Sequence, residues 1–237
     1  MASWILHLRV AENILRVDPT LIPASFAVGN IAPDSGLPDA KWEQFDPPTE
    51  VTHFTQDGSR WRCNDIGFHR SYLLPLRDSS EVGLVSFRLG YFFHLLLDNL
   101  WDVKFNIPLR ERWAAELAAD RDFIWEIKKE LYGLDFLHVC EHPESLFWSV
   151  FLEAEAENGG LAFLPLEAVR QRVVYIQQYY QRTDEEVQKA YNHSYTYLTQ
   201  SEMDGFVAES SEQLVRIYQQ VWLDGVPLDG VVSALDL

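Results

Sequence analysis

The run Phe87-Arg88-Leu89-Gly90-Tyr91-Phe92-Phe93-His94-Leu95-Leu96-Leu97-Asp98-Asn99-Leu100-Trp101 is apolar on nearly every side. A helix without a polar face is buried all round, so the run predicts a helix, about 80–102, threaded through the centre of the protein. His94 and Asp98 are its exceptions. Four residues apart, they project from one face a turn apart and can reach a single point. Left unpaired in an apolar interior, each is costly. A divalent cation would serve both at once; a plain hydrogen bond between the two is the alternative.

With 237 residues, 47% of them hydrophobic and 14% aromatic, the chain has material for one domain, 1–237, with a substantial core. The formal charge of −17, from 36 acids against 19 bases, argues against nucleic acid as a standing partner. Cys63 and Cys140 are the only cysteines and form no motif, which suits a reducing compartment and a cytoplasmic location. The first residues lack the pattern of a secretory leader. The apolar run is too short and too interrupted to span a bilayer.

Taken in order, Ile5, Leu8, Val10, Ala11, Ile14 and Leu15 recur at helical spacing behind Ser3, a fitting cap, so Trp4–Leu15 reads as a first helix with His7 on or beside its buried stripe. Prolines and glycines then leave a short helix near Ala24–Val28 and a long irregular excursion over 30–60. Trp42, Phe45, Val51, Phe54 and Trp61 predict that this loop packs on the core. Further helices are expected at Asn64–Leu76, from Ser79-Ser80-Glu81 into the central run, at Leu109–Leu131 stopping at Gly133, at 143–157, at Pro165–Gln181, at Asp184–Thr199 and at Ser201–Asp224. Nothing alternates as strand does. The class is all-α, with seven to nine helices.

Four patches stand in order: His7 on the first helix, Gly29-x-x-x-Pro33-Asp34, Thr52-His53-Phe54, and Gly90-Tyr91-x-x-His94-x-x-x-Asp98. Over residues 1–102 this pattern resembles the zinc-dependent phospholipase C family, related in fold to the P1-type nucleases, and in particular its short bacterial members. The resemblance implies a multi-helix bundle of that type around the central helix. It implies a zinc held by Asp34, His53, His94 and Asp98, with His7 and a shared Asp98 serving a neighbouring zinc. It also implies that Asp34 orients or deprotonates the attacking water, and that the reaction is hydrolysis of a phosphodiester, whether phospholipid, nucleotide or another phosphate ester. His nitrogens and carboxylate oxygens suit zinc, though another divalent ion would also be held.

The chain departs from the family twice. No processed amino terminus is evident, so Met1 is not expected as a ligand, and no His or Glu follows Asp98 closely; one or two ions are expected rather than three. Asp65 with His69, His138 with His142 before the helix-breaking Pro143, and His193 are read as structural or exposed. Arg60, Arg62, Arg70 and Arg88, together with loop 30–60, are expected to frame the mouth of the metal site. Four protein donors would also close a tetrahedral ion. The alternative is therefore a non-catalytic all-α protein whose metal is a structural staple for an interaction module.

Overall fold

In the computed structural model, residues 1–39, 44–120, 122–181 and 185–237 are described, without the side chain of Glu186. The architecture is all-α, as expected, with one two-residue β pair among the described residues. Helix α1, Trp4–Val17, opens at Ser3, whose hydroxyl accepts from the Leu6 amide, and buries Ile5, Leu8, Val10, Ala11 and Ile14 with His7 among them. Helix α2, Pro23–Ile31, starts on a proline, whose missing N–H costs nothing at that position. It is longer than the sequence suggests because the chain continues through a tight turn, Ala32–Asp34, that carries Asp34 off its end.

Over its described residues, loop 30–60 is more regular than an irregular excursion. Strand β1, Leu37–Pro38, pairs antiparallel with β2, Phe45–Asp46, and a one-turn helix α3, Thr49–Thr52, follows. Trp42, expected on the core, lies outside the described residues. Helix α4, Asp65–Phe68, is capped by Asn64 and leads through widened and tight turns to Leu76.

Helix α5, Val82–Trp101, is the central element: every side chain from Phe87 to Trp101 except Arg88 is buried. Its start is not capped by Ser79, Ser80 or Glu81 acting on the first turn; the Ser79 hydroxyl accepts only from the Glu81 amide, 3.1 Å away. α2 lies closely across α5, and two glycines permit it. A Cβ on Gly29 would stand 2.0 Å from the Phe87 carbonyl oxygen, and one on Gly90 would stand 2.2 Å from that of Phe26. Backbone meets backbone here, so no side chain can yield. Gly90→Ala is expected to lower stability by about 3 kcal/mol, the upper end of typical overpacking costs. Urea unfolding checks this; a loss below half a kcal/mol would mean that the crossing is loose.

The second half differs more from the expectations. Instead of one helix over Leu109–Leu131 there are α6, Ile107–Arg112, α7, Ala114–Ala119, and the start of α8, Phe123–Glu141. The chain bends at Trp113, whose ring packs on Phe123 and Tyr197, and again at the extended Asp120. Gly133 does not stop α8. It makes room: a Cβ there would sit 2.7 Å from the Tyr195 hydroxyl. The helix expected at 143–157 is only α9, Leu146–Ser149, plus a tight turn at Phe151–Glu153. Gln177 donates to the carbonyls of Phe151 and Ala154 in place of further helical amides.

Helix α10, Leu166–Tyr180, agrees with expectation. In α11, Glu185–Asn192, the expected start at Asp184 lies outside the described residues, and the helix ends before Thr199. There the Glu130 carboxylate takes the amides of Thr196, Tyr197 and Leu198. Helix α12, Gln200–Ile217, begins on a Thr199/Glu202 capping box. The described helices thus outnumber the seven to nine expected, because several are a single turn. One continuous apolar core runs from Ala2 to Leu235. No helix of the described residues is long and apolar enough to cross a membrane.

Candidate metal centre

The close α2–α5 crossing places the Asn30 carbonyl at the His94 ring, where Nδ1 donates to it at 2.8 Å. A carbonyl only accepts, so the His94 proton sits on Nδ1 and Nε2 presents a bare lone pair. His53 is held through the same atom. Its Nδ1 lies 3.2 Å from the Thr49 carbonyl at the start of α3 and 3.1 Å from the Thr52 hydroxyl, which can accept from it or donate to it, while the Tyr91 hydroxyl from α5 donates to the Thr52 carbonyl and fixes the turn. Phe54, next along, has φ 51°, a left-handed conformation uncommon for a bulky residue. Its ring is wedged edge-on against Phe68, Tyr72 and Phe163, which over-determines the bend that turns His53 inward.

The outcome is two imidazole Nε2 atoms 3.1 Å apart. When the His53 proton is on Nδ1, as on His94, neither Nε2 can donate to the other, and both lone pairs are free for an ion. Carboxylates close the figure. His53 Nε2 lies 3.3 Å from Asp34 Oδ1 and 3.5 Å from Asp98 Oδ2, and His94 Nε2 lies 4.0 and 3.7 Å from the same two atoms. An ion bonded tetrahedrally at about 2.0–2.1 Å requires ligand–ligand edges of about 3.3–3.4 Å. These five edges bracket that value. Asp34, His53 and His94 form one trio of potential ligands, with Asp98 within 3.5–3.7 Å of both imidazoles, and Asp34 Oδ1 has no hydrogen-bond partner; a cation among them would offset this crowding of lone pairs. The donor set, two imidazoles and two carboxylates, therefore fits a divalent ion.

Electrostatics agree with a neutral His94 and ionised carboxylates. Burial, together with the neighbouring His7, pulls His94 down to about 3. Burial opposes ionisation of Asp34, yet a hydrogen bond from His53 and positive charge on His94 and His53 hold its carboxyl well below the ordinary range when protons, in place of an ion, sit on those rings.

His7 also arrives. Its ring stacks on that of His94, centroids 3.9 Å apart and 6° from parallel, and its Nε2 lies 3.4 Å from Asp98 Oδ1. Neither of its nitrogens has a hydrogen bond, although the side chain is wholly buried. The Ala2 amide donates to the same Asp98 oxygen at 2.9 Å, so the first residues fold back onto the cluster, which the sequence did not lead one to expect. His7, His94 and Asp98 thus form a second trio that shares His94 with Asp34 and His53.

The other candidates stay apart. Asp65 is a tether: its carboxylate accepts from Asn99 and from the Ala234 amide, and burial raises it to about 6. His69 is buried, which lowers it to about 4. The rings of His138 and His142 lie 4.3 Å apart at the end of α8, and His193 reaches Glu130. Among the described residues none of these joins a metal-holding set.

Of the cluster residues Asp34 lines a cleft of about 520 Å³, with the others buried behind it. Of the arginines expected to frame it, only Arg62 does. Arg88 instead donates to the carbonyls of Gly159 and Tyr72, Arg70 to that of Leu228, and Arg60 lies over the Trp61 ring. The cations that join Arg62 on the wall are Arg110, Lys128 and Arg172, from helices after residue 102. Periodicity carries no signal for them, since each looks like an ordinary surface base in its helix.

Behind the cluster, Asp135 receives the hydroxyls of Ser3 and Tyr180, each at 2.7 Å, and burial raises it from 3.8 to about 7. The native state therefore holds a proton that the unfolded chain releases above about pH 4, and stability falls as pH rises through that window to about 7. Against Asp135→Asn, the parent is expected to lose stability steadily from pH 5 to pH 7.5 in urea unfolding. Parallel curves would show that Asp135 is ionised in the fold.

Comparison with protein families, with curated proteins and with solved structures finds no match.

Proposed function

We propose that the chain is a zinc-dependent hydrolase of phosphate esters that cleaves phosphodiesters in the manner of the phospholipase C family, which residues 1–102 resemble. The observation that carries this reading is the convergence of His53, His94, Asp34 and Asp98 behind a cleft that Asp34 lines. A zinc ion held there would supply Lewis acidity and bring the pKa of water towards neutrality.

The chain's own groups do the rest. The Asn30 carbonyl fixes the His94 tautomer, and the Thr49 carbonyl with the Thr52 hydroxyl orients the His53 ring. Asp34, which lines the cleft as well as the cluster, orients water and takes its proton. The cationic wall binds the phosphoryl oxygens and offsets the field of a chain carrying −17. Both cysteines are free, which suits a reducing compartment such as the cytoplasm.

The protein is expected to hydrolyse bis(p-nitrophenyl) phosphate with added zinc, to stop with chelator, and to lose the activity in His53→Ala. A second reading has one observation in its favour: four protein donors can close the ion's shell, as in a structural site. Metal-loaded protein that is inert on phosphodiesters, phosphomonoesters and phospholipids would favour that staple over the hydrolase.

A further inference from the structure

Bases are scarce in this chain, 19 against 36 acids, and elsewhere they are commonly paired: Arg9 with Asp204, Lys104 with Glu209, Lys129 with Glu126 and Arg170 with Glu167. The cleft inverts this. Its wall carries four bases, Arg62, Arg110, Lys128 and Arg172, against two acids, Asp34 and Glu50. Among the described residues none of the four bases has an ion pair.

Arg172 is the most constrained of them. Its Nε donates to the Asp34 carbonyl at 2.8 Å, and its guanidinium lies 5.2 Å from the centre of the Trp4 ring and 5.9 Å from that of Tyr175. This leaves its outer amines as a preorganised fork beside the metal cluster. Lys128 is partly buried, and burial together with nearby Arg110 lowers its pKa. Arg62, Lys128 and Arg172 are half-buried and Arg110 is exposed, with Lys128 also over the Trp125 ring at 4.4 Å; a wall of unpaired bases in an acid-rich chain is complementary to an anion.

One scissile phosphate at the metal cluster does not account for four such bases. We propose that the substrate carries a second phosphate, bound along the wall by Arg172, Arg110 and Lys128 while the ester to be cleaved sits at the His53–His94–Asp34–Asp98 cluster. This rests on the hydrolase reading. A cationic headgroup is disfavoured by the same wall, and an arginine fork suits a phosphate dianion.

Two esters that release the same p-nitrophenolate test it: thymidine 5′-(p-nitrophenyl phosphate), and the same molecule bearing a 3′-phosphate. The zinc-loaded protein is expected to show kcat/KM at least tenfold higher on the second, and Arg172→Gln and Arg110→Gln to bring the ratio towards one. An unchanged zinc-dependent rise in unfolding temperature would show that the variants keep their fold and metal site. Equal kcat/KM on the two esters would overturn the proposal while leaving the hydrolase standing, as would a preference for p-nitrophenyl phosphorylcholine.

Were neither ester cleaved, the hydrolase reading would fail. The anion subsite is then read by calorimetry with inorganic pyrophosphate and inorganic phosphate. Pyrophosphate bound at least tenfold more tightly, with the preference lost in Arg172→Gln, supports it. Equal binding overturns it.

Discussion

Stripping divalent metal from the purified protein is expected to lower its unfolding temperature by about 8–16 °C, and one equivalent of zinc with a modest excess to restore it. An ion that binds the native state alone stabilises it by about 4 kcal/mol at a thousandfold excess over its dissociation constant. For a chain of this size each kcal/mol is worth about 2–4 °C. The physical origin is the repulsion that the cluster holds without an ion. Two imidazole nitrogens stand 3.1 Å apart with two carboxylates around them. Differential scanning calorimetry with and without chelator checks this, and a shift under 2 °C would mean that the acceptors satisfy one another by some protonation pattern instead.

His94→Ala is expected to have the largest effect of any single substitution. It removes a donor from the first set of metal ligands and from the second. It also deprives the Asn30 carbonyl of its hydrogen bond and the His7 ring of the partner stacked 3.9 Å from it. Asp98 then remains buried with less compensation, a loss that typically costs about 3–5 kcal/mol. Hydrolysis should fall to background, and the zinc-dependent rise in unfolding temperature should vanish. His7→Ala separates the two sets: it should retain most of the zinc response if one ion sits among His53, His94, Asp34 and Asp98. A variant at His94 that unfolds within a degree or two of the parent would show that this side chain is peripheral, contrary to its complete burial.

What was legible in the sequence is what local chemistry dictates. The central helix announces itself because fifteen residues without a polar face have no place but the interior, and α1 does so through Ser3 and a clean stripe. The convergence of His7, Asp34, His53, His94 and Asp98 was expected from the order of short motifs. The backbone that makes it possible is a tertiary matter: Gly29 and Gly90 each face a carbonyl of another helix, and Tyr91 holds a carbonyl 39 positions earlier. Gly133 reads as a helix stop because that is its commonest local use, and only the Tyr195 hydroxyl, far along the chain, explains why α8 runs on. The cleft wall was misjudged for the same reason. Arg88 sits beside the motif in sequence but turns away to Gly159 and Tyr72, while Arg172 arrives from α10.

The most direct test of the central claim is the metal itself. X-ray absorption at the zinc edge, on protein loaded with one equivalent of zinc and then dialysed, should show four nitrogen or oxygen neighbours at about 2.0–2.1 Å, with the outer-shell signature of two imidazoles. Protein that leaves dialysis without zinc, or a spectrum of hexa-aquo zinc with no imidazole, would contradict it.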